Sequence, residues 1–348
     1  MDSKYYDLDV PRKTVSPELI ARLLDCEYLY IAISTAVSVD EFNFKDKKRS
    51  AKEDRQRMRA SLAEKLTPLT VSELTSLLEQ SRQFRSSSSS KLPILTPPRL
   101  FNRLTLTCVE TDTASLFFKE FEDSIRKFDV VAFEPMSSAA LTYVTESLPS
   151  LPIDLITINP AQSSCSDFRP TSKQCAQCLQ RGVYFDLPLS PALFRSGALP
   201  SARIAVATLL THLDSVCRFH FSRLVVVTSG AQTGWEVRRP QAVASVVCAI
   251  CPTVVKGSAL AMQQTNPWQA LSHGLTRCES KTSNGAAILL RLLADPSVVE
   301  VVHTSVSEEA NLCEEKSSTE YTRCTPIEHN ERTMCRFSKT KKRKVESS

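Results

Sequence analysis

The chain has 348 residues, of which 42% are apolar and 23% charged, with 12 cysteines, only 7 glycines and a formal net charge of +5. That length and apolar content suffice for one large domain or two ordinary ones with a real core. No apolar run approaches the roughly 20 residues of a membrane-spanning helix, and Met1-Asp2-Ser3-Lys4 lacks the layout of a signal peptide, so an intracellular protein with reduced thiols and no membrane partner is expected.

In chain order, YYDLDV at 5–10 reads as a first strand carrying Asp7 and Asp9. Strand residues i and i+2 share a face, so both carboxylates are expected to point the same way, toward a metal ion or the inside of a barrel. Ser16 and Pro17 suit the N-cap and first turn of a helix over 16–26. Short aliphatic runs then recur: YLYIAIS (28–34), RLTLTCV (103–109), DVVAFEP (129–135), DLITINP (154–160), VYFDLPLS (183–190) and LVVVTSG (224–230). Their near-continuous apolar character is that of strands buried on both faces of a parallel sheet. Stretches with helical spacing, 111–127, 137–148, 172–181, 201–219 and 239–251, lie between or after them. Strand alternating with helix over six or seven units implies parallel crossovers, closed as a barrel or left open. Neither G-x-G-x-x-G nor a P-loop is present, which favours a TIM-like (βα) barrel over a nucleotide-binding open sheet.

Two regions break the alternation. Residues 40–98 hold a charged stretch, a helix-prone segment at 71–83, a serine run at 86–90 and Pro93, Pro97 and Pro98; an insertion ending in a flexible linker is expected. The barrel domain is expected over 1–293, with 294–348 largely a disordered tail. Charge follows the same division. Residues 336–348 carry six basic residues and one glutamate, and Lys45 to Lys65 nine basic and four acidic, so each is +5 and the remaining body is acidic. Such clusters suit phosphate backbones or an import receptor.

Two CxxC pairs, Cys175/Cys178 and Cys248/Cys251, fall in helical stretches without the turns of a zinc knuckle and read as buried or helix-surface thiols. Cys313, Cys324 and Cys335 recur every 11 residues without a physical account. A barrel places chemistry at the C-terminal ends of its strands, here Asp7, Asp9, Ser34, Glu134, Asn159, Asp186, Ser190, Thr228 and Ser229. Histidine is missing from that set: His212, His220, His273, His303 and His329 all lie elsewhere. Metallohydrolase barrels commonly begin with His-x-His, and Asp7-Leu8-Asp9 occupies that place. The bland reading is that these aspartates orient the barrel mouth. The alternative is a metal-dependent phosphoesterase using Asp7, Asp9, Glu134 and Asp186. At Thr228-Ser229-Gly230-Ala231 the G-x-S-x-G frame is absent, which leaves a structural turn or a passive anion site on Ser229.

The order YDLDV, FNRLTLT (101–107), FDVVAFEP (128–135), DLITI (154–158), QRGVYFDLPLSPAL (180–193), LVVVTSGA with EVRRP (224–240) and NPWQALSHGLTR (266–277) resembles the barrel-forming protein subunit family of ribonuclease P and RNase MRP. Gly182, Ser190, Pro191, Pro240 and Asn266 fall on matching positions. The resemblance implies a TIM-like barrel related to PHP phosphoesterases that has lost its metal ligands, Asp7 and Asp9 standing at the vestigial metal position. It implies no catalytic residue, cofactor or metal of its own, in a particle whose RNA removes the 5′ leader of precursor tRNA. Partners would be the RNase P or MRP RNA, precursor tRNA indirectly, and fellow protein subunits. Arg103, Arg181 and Arg238 fall on motif arginines expected to contact RNA or subunits, with Arg239, Arg277 and Lys256 as neighbours; the competing reading for each is a structural ion pair. Lys341, Lys342, Arg343 and Lys344 are similar to a nuclear import signal read by an import receptor, which implies nucleus and nucleolus. A third reading is a nuclear scaffold that binds only proteins.

Overall fold

The structure, a computed structural model, describes residues 4–42, 52–86, 97–147, 151–162, 169–217 and 221–279. The basic cluster Lys341 to Lys344, the tail cysteines, residues 87–96 of the expected linker and the expected disordered tail lie outside them. Seven strands, β1 (Tyr5–Pro11), β2 (Tyr28–Ser38), β3 (Arg99–Cys108), β4 (Val130–Pro135), β5 (Leu155–Thr157), β6 (Tyr184–Pro188) and β7 (Val225–Thr228), form one sheet in sequential order. Every adjacent pair is parallel. The sheet curls until β7 faces β1. Two carbonyls then take the place of an eighth strand: Met262 O accepts from Val227 N and Gln263 O from Tyr6 N, both at 3.0 Å. At the C-terminal end Gly230 N donates to Asp9 O at 3.1 Å. The result is a nearly closed TIM-like barrel.

The helices are α1 (Pro17–Asp25), α2 (Lys52–Lys65), α3 (Val71–Ser86), α4 (Ala114–Glu120), α5 (Glu122–Ile125), α6 (Ser138–Ser147), α7 (Ser172–Arg181), α8 (Pro200–Cys217), α9 (Phe221–Leu224), α10 (Pro240–Ile250), α11 (Lys256–Ala261) and α12 (Thr265–Glu279). None described is long and apolar enough to cross a membrane. Ser16 caps α1 by accepting from Leu19 N at 3.2 Å, with Pro17 in the first turn. The helix expected over 111–127 is broken at Phe121, where the chain leaves α geometry (φ −109°, ψ 18°) and the ring packs into an aromatic group with Phe42 and Phe117.

Residues 52–86 are not a detachable insertion. Leu62 and Leu66 of this stretch are buried in the main core, and Leu77 and Leu78 of α3 pack against the cluster formed by α1. Arg85 pairs with Asp25 at 2.7 Å, and the Asn102 side chain holds both the amide and the carbonyl of Leu69 at 2.9 Å. The stretch is the helical crossover between β2 and β3, and its charged Arg57, Arg59, Glu64 and Lys65 are exposed on the outer face.

The lower half of the bore is apolar. Tyr6, Leu8, Tyr30, Ala32, Val130, Ala132, Leu155, Tyr184 and Val226 meet there with Ala270 and Leu271 of α12, which covers the N-terminal end. Tyr6 stacks on Tyr30 with centroids 4.7 Å apart. Gly274 lets α12 lie against the barrel: a Cβ there would come within 2.1 Å of Asp129 O and 3.0 Å of an Asp154 carboxylate oxygen.

Candidate functional site

The upper half of the bore is polar, and its centre is a guanidinium. Arg103 on β3 is fully buried. It donates through Nη1 to Leu8 O (2.8 Å), through Nη2 to Thr157 Oγ1 (2.8 Å) and Asp186 Oδ2 (2.7 Å), and through Nε to Thr105 Oγ1 (3.0 Å). Thr157 also donates to Asp186 Oδ2 and Thr228 to Asp186 Oδ1, at 3.1 and 2.7 Å, while Ser34 and Thr105 share a 2.8 Å hydrogen bond. The network joins β1, β2, β3, β5, β6 and β7, which only a group on the barrel axis can do. Of the two readings of Arg103, a contact to RNA or subunits and a structural ion pair, the geometry gives the ion pair: a guanidinium without exposure reaches neither partner. The signal was in the strand itself, where Arg103, Thr105 and Thr107 alternate with Leu104 and Leu106.

Asp7 and Asp9 do not share a face. A register shift between Asp7 and Val10, a β-bulge, puts one extra residue in β1 opposite β2. Asp9 turns to the axis, its Oδ1 3.8 Å from Arg103 Nε. Asp7 turns to the seam between β1 and β7, where its Oδ1 accepts from Ser229 N at 3.0 Å and Asp9 N at 3.4 Å. Its Oδ2 is buried without a hydrogen-bond partner among the described residues.

The one guanidinium faces Asp9, Glu134 and Asp186, with Asp7 at the seam beside them, and burial raises Asp7, Asp9 and Glu134. Burial, aided by Asp9, pushes Asp7 up to about 6. Burial, with Asp9 and Asp186 nearby, pushes Glu134 up to about 7. Asp9 is raised by burial against the pull of Arg103, and the carboxylates hold Arg103 above its ordinary value despite its burial. The four acids do not fit a divalent ion: Asp186 is spent on Arg103, Thr157 and Thr228, and the bulge diverts Asp7. Among the described residues no group of three or more His, Cys, Asp or Glu is arranged to hold a metal, either CxxC pair included.

The anion site expected at Thr228–Ala231 is filled from within. Ser229 N serves Asp7, Gly230 N serves Asp9 O, and Ala231 N donates to Ser229 Oγ at 3.1 Å, so Ser229 is a seam residue and has no amide to offer RNA. Gly230 makes the turn possible at φ +58°, where a Cβ would also lie 2.8 Å from Pro188 Cβ. Beyond it, Arg195 pairs with Glu236 at 3.3 Å, and the half-exposed Arg238 lies over the Phe194 ring at 4.9 Å. Arg239 is exposed at the start of α10 and Lys256 at the start of α11.

At the opposite end, a cleft of about 740 Å³ runs beside α12 and is lined by Lys119, Arg126, Tyr143, Arg181, His273 and Arg277. This brings together Arg181 and Arg277, two of the arginines picked out in the sequence. Asp154, fully buried, organises the cleft: it accepts from Val131 N (2.8 Å), Arg277 Nη2 (2.9 Å) and the His273 ring (Nδ1, 2.7 Å). Arg277 also donates to Phe128 O at 3.1 Å and is largely covered, so its first role is structural. Arg126 pairs with Glu122, whereas Lys119 and Arg181 are exposed.

Among protein families, the model described as RNase P subunit p30 matches residues 4–278. The chain belongs to the RNase P subunit p30 family. Membership makes it a protein subunit of ribonuclease P, the enzyme of tRNA processing. Among solved structures, a chain of the cryo-EM structure of archaeal ribonuclease P with mature tRNA is similar, at 11% identity and a TM-score of 0.49 over 77% of this chain and 90% of that one. No curated protein matched as a relative.

Proposed function

We propose that this p30-family chain is a non-catalytic subunit that binds RNA phosphates and neighbouring proteins, leaving hydrolysis of precursor tRNA to the RNA, and that it serves RNase MRP in the same way. The observation that carries the reading is Arg103 among the mouth carboxylates. A PHP-type phosphoesterase needs divalent ions to generate hydroxide and to stabilise the charged transition state. A guanidinium bonded to Leu8 O, Thr157 and Asp186 supplies a fixed positive charge but no bound water to activate. The bore axis at the mouth carries Asp9, Glu134 and Asp186 and disfavours phosphate there, while the exposed Lys119 and Arg181 favour it at the cleft. Lys341, Lys342, Arg343 and Lys344 would engage an import receptor and bring the chain to the nucleus and nucleolus.

The test uses the tagged full-length chain. Pull-down from cells recovers RNase P RNA and RNase MRP RNA, the purified chain with magnesium leaves precursor tRNA uncut, and removal of residues 341–344 lowers its nuclear share. Cleavage by the isolated chain that is lost in Asp186→Asn would overturn the reading, as would a pull-down containing neither RNA.

A further inference from the structure

We propose that the turn after β7 presents Trp235 as a stacking platform for an unpaired base of RNA, with Arg22, Arg238 and Arg239 holding the flanking phosphates. The inference rests on the RNA-binding reading above and adds to it a site and a ligand class. Trp235 is 89% exposed, an unusual state for the largest apolar side chain. Its turn is held rigidly from beneath. Glu236 and Val237 are buried, Glu236 O accepts from Ser190 Oγ at 3.2 Å, and the Glu236 carboxylate accepts from Gln232 N at 3.0 Å besides its pair with Arg195. Arg238 donates to the carbonyls of Trp235 and Val237. The indole is thus held out in water by a backbone already in place, so a ligand orders little by binding it.

The surroundings select the ligand. Arg238 follows three residues on, lying over Phe194, and Arg239 is exposed beside it. Arg22 of α1 lays its stem against Gly234, where a Cβ would be 3.4 Å from Arg22 Cγ. Two nearby acids are paired, Glu236 with Arg195 and Asp25 with Arg85, and Glu27 accepts from the Gln241 amide. No other exposed large apolar side chain lies on this turn, α1 or α10. A protein anchor sits in a desolvated apolar patch. A lone π-face among guanidiniums is what a single-stranded nucleic acid stacks on.

The chain has two tryptophans, so Trp268→Phe leaves Trp235 as the sole indole reporter. In that background, a single-stranded oligoadenylate is expected to quench the emission and a blunt duplex RNA of equal length is not. Trp235→Ala in the full-length chain is expected to weaken binding of oligoadenylate and of RNase P RNA about tenfold. Its melting temperature and the slope of log affinity against log salt stay unchanged. Trp235→Phe retains most of the affinity, and Arg238→Ala with Arg239→Ala lowers the salt slope instead. Wild-type affinity in Trp235→Ala overturns the stacking site alone, as does an indole shielded only by protein subunits. Failure of the unaltered chain to bind either RNA overturns both this site and the RNA-binding reading beneath it.

Discussion

The two ends of the barrel are built on the same device, a buried aspartate gripping an arginine from a distant part of the chain: Asp186 with Arg103 at the mouth, Asp154 with Arg277 at the cleft. What differs is the company each pair keeps. On the mouth axis Asp9, Glu134 and Asp186 outnumber the guanidinium of Arg103, which is fully enclosed. At the cleft Asp154 faces Arg277 and His273, Glu122 takes Arg126, and Lys119 and Arg181 lie exposed beyond. An ion pair therefore says little about a surface until neighbouring charges are counted. The axis of the mouth spends its cation on internal cohesion, and the cleft leaves Lys119 and Arg181 over.

The largest test of that contrast is Arg103→Leu. It leaves Asp186 and Asp9 buried without their counter-ion, and breaking a buried pair in this way costs about 3–5 kcal/mol. Denaturant unfolding of the full-length chain should show a loss of that size at neutral pH, shrinking in acid as the carboxylates protonate. Adding Asp186→Leu should recover part of the loss, since the buried charge goes with its partner. A neutral Arg103→Leu would mean that the mouth is wetter and looser than its hydrogen bonds indicate.

A smaller effect comes from Asp7. In the fold its carboxyl ionises at about 6, against the ordinary 3.8 of an unfolded chain, so between those values the folded state holds a proton that the unfolded state has released. That contribution to stability is complete below about pH 4 and is lost as pH rises through 6; Glu134, raised to about 7, extends the loss in the same direction. Asp7→Asn keeps an oxygen for Ser229 N and removes the unpartnered charge. It should flatten stability against pH and add on the order of 2 kcal/mol at pH 8. A variant less stable than the parent at that pH would show that the ionised carboxylate is needed at the seam.

How much of this could be read without coordinates depends on how local the cause is. Six near-continuous apolar runs mark β2 to β7, because burial on both faces is a property of each strand by itself, and YYDLDV marks β1. The crossover at 52–86 reads in sequence as part of an insertion over 40–98, because its charge and the following serine run stand out while Leu62, Leu66, Leu77 and Leu78, which bind it to the core, are few and spaced. Arg103 carried a local signal in the alternation Arg-Leu-Thr-Leu-Thr. The divergence of Asp7 from Asp9 did not, since the bulge is fixed by how β1 meets β2 and β7. Asp154 and Arg277 are 123 residues apart and meet only because Gly274 lets α12 close on the sheet.

The smallest structural effect belongs to Arg181, and that smallness is its diagnostic value. Arg181 is exposed at the end of α7, so Arg181→Ala should move the unfolding midpoint within the few tenths of a kcal/mol typical of surface sites. If phosphate is what it meets, RNA affinity falls and the slope of log affinity against log salt drops by about 0.7–0.9, the share of one contact. Arg277→Ala is the control at the same cleft: it uncouples Asp154, so its melting temperature falls together with its RNA binding. An Arg181→Ala chain with full affinity and an unchanged slope would move the RNA path off this end of the barrel, and the surplus of cation there would then have to be explained by a protein partner.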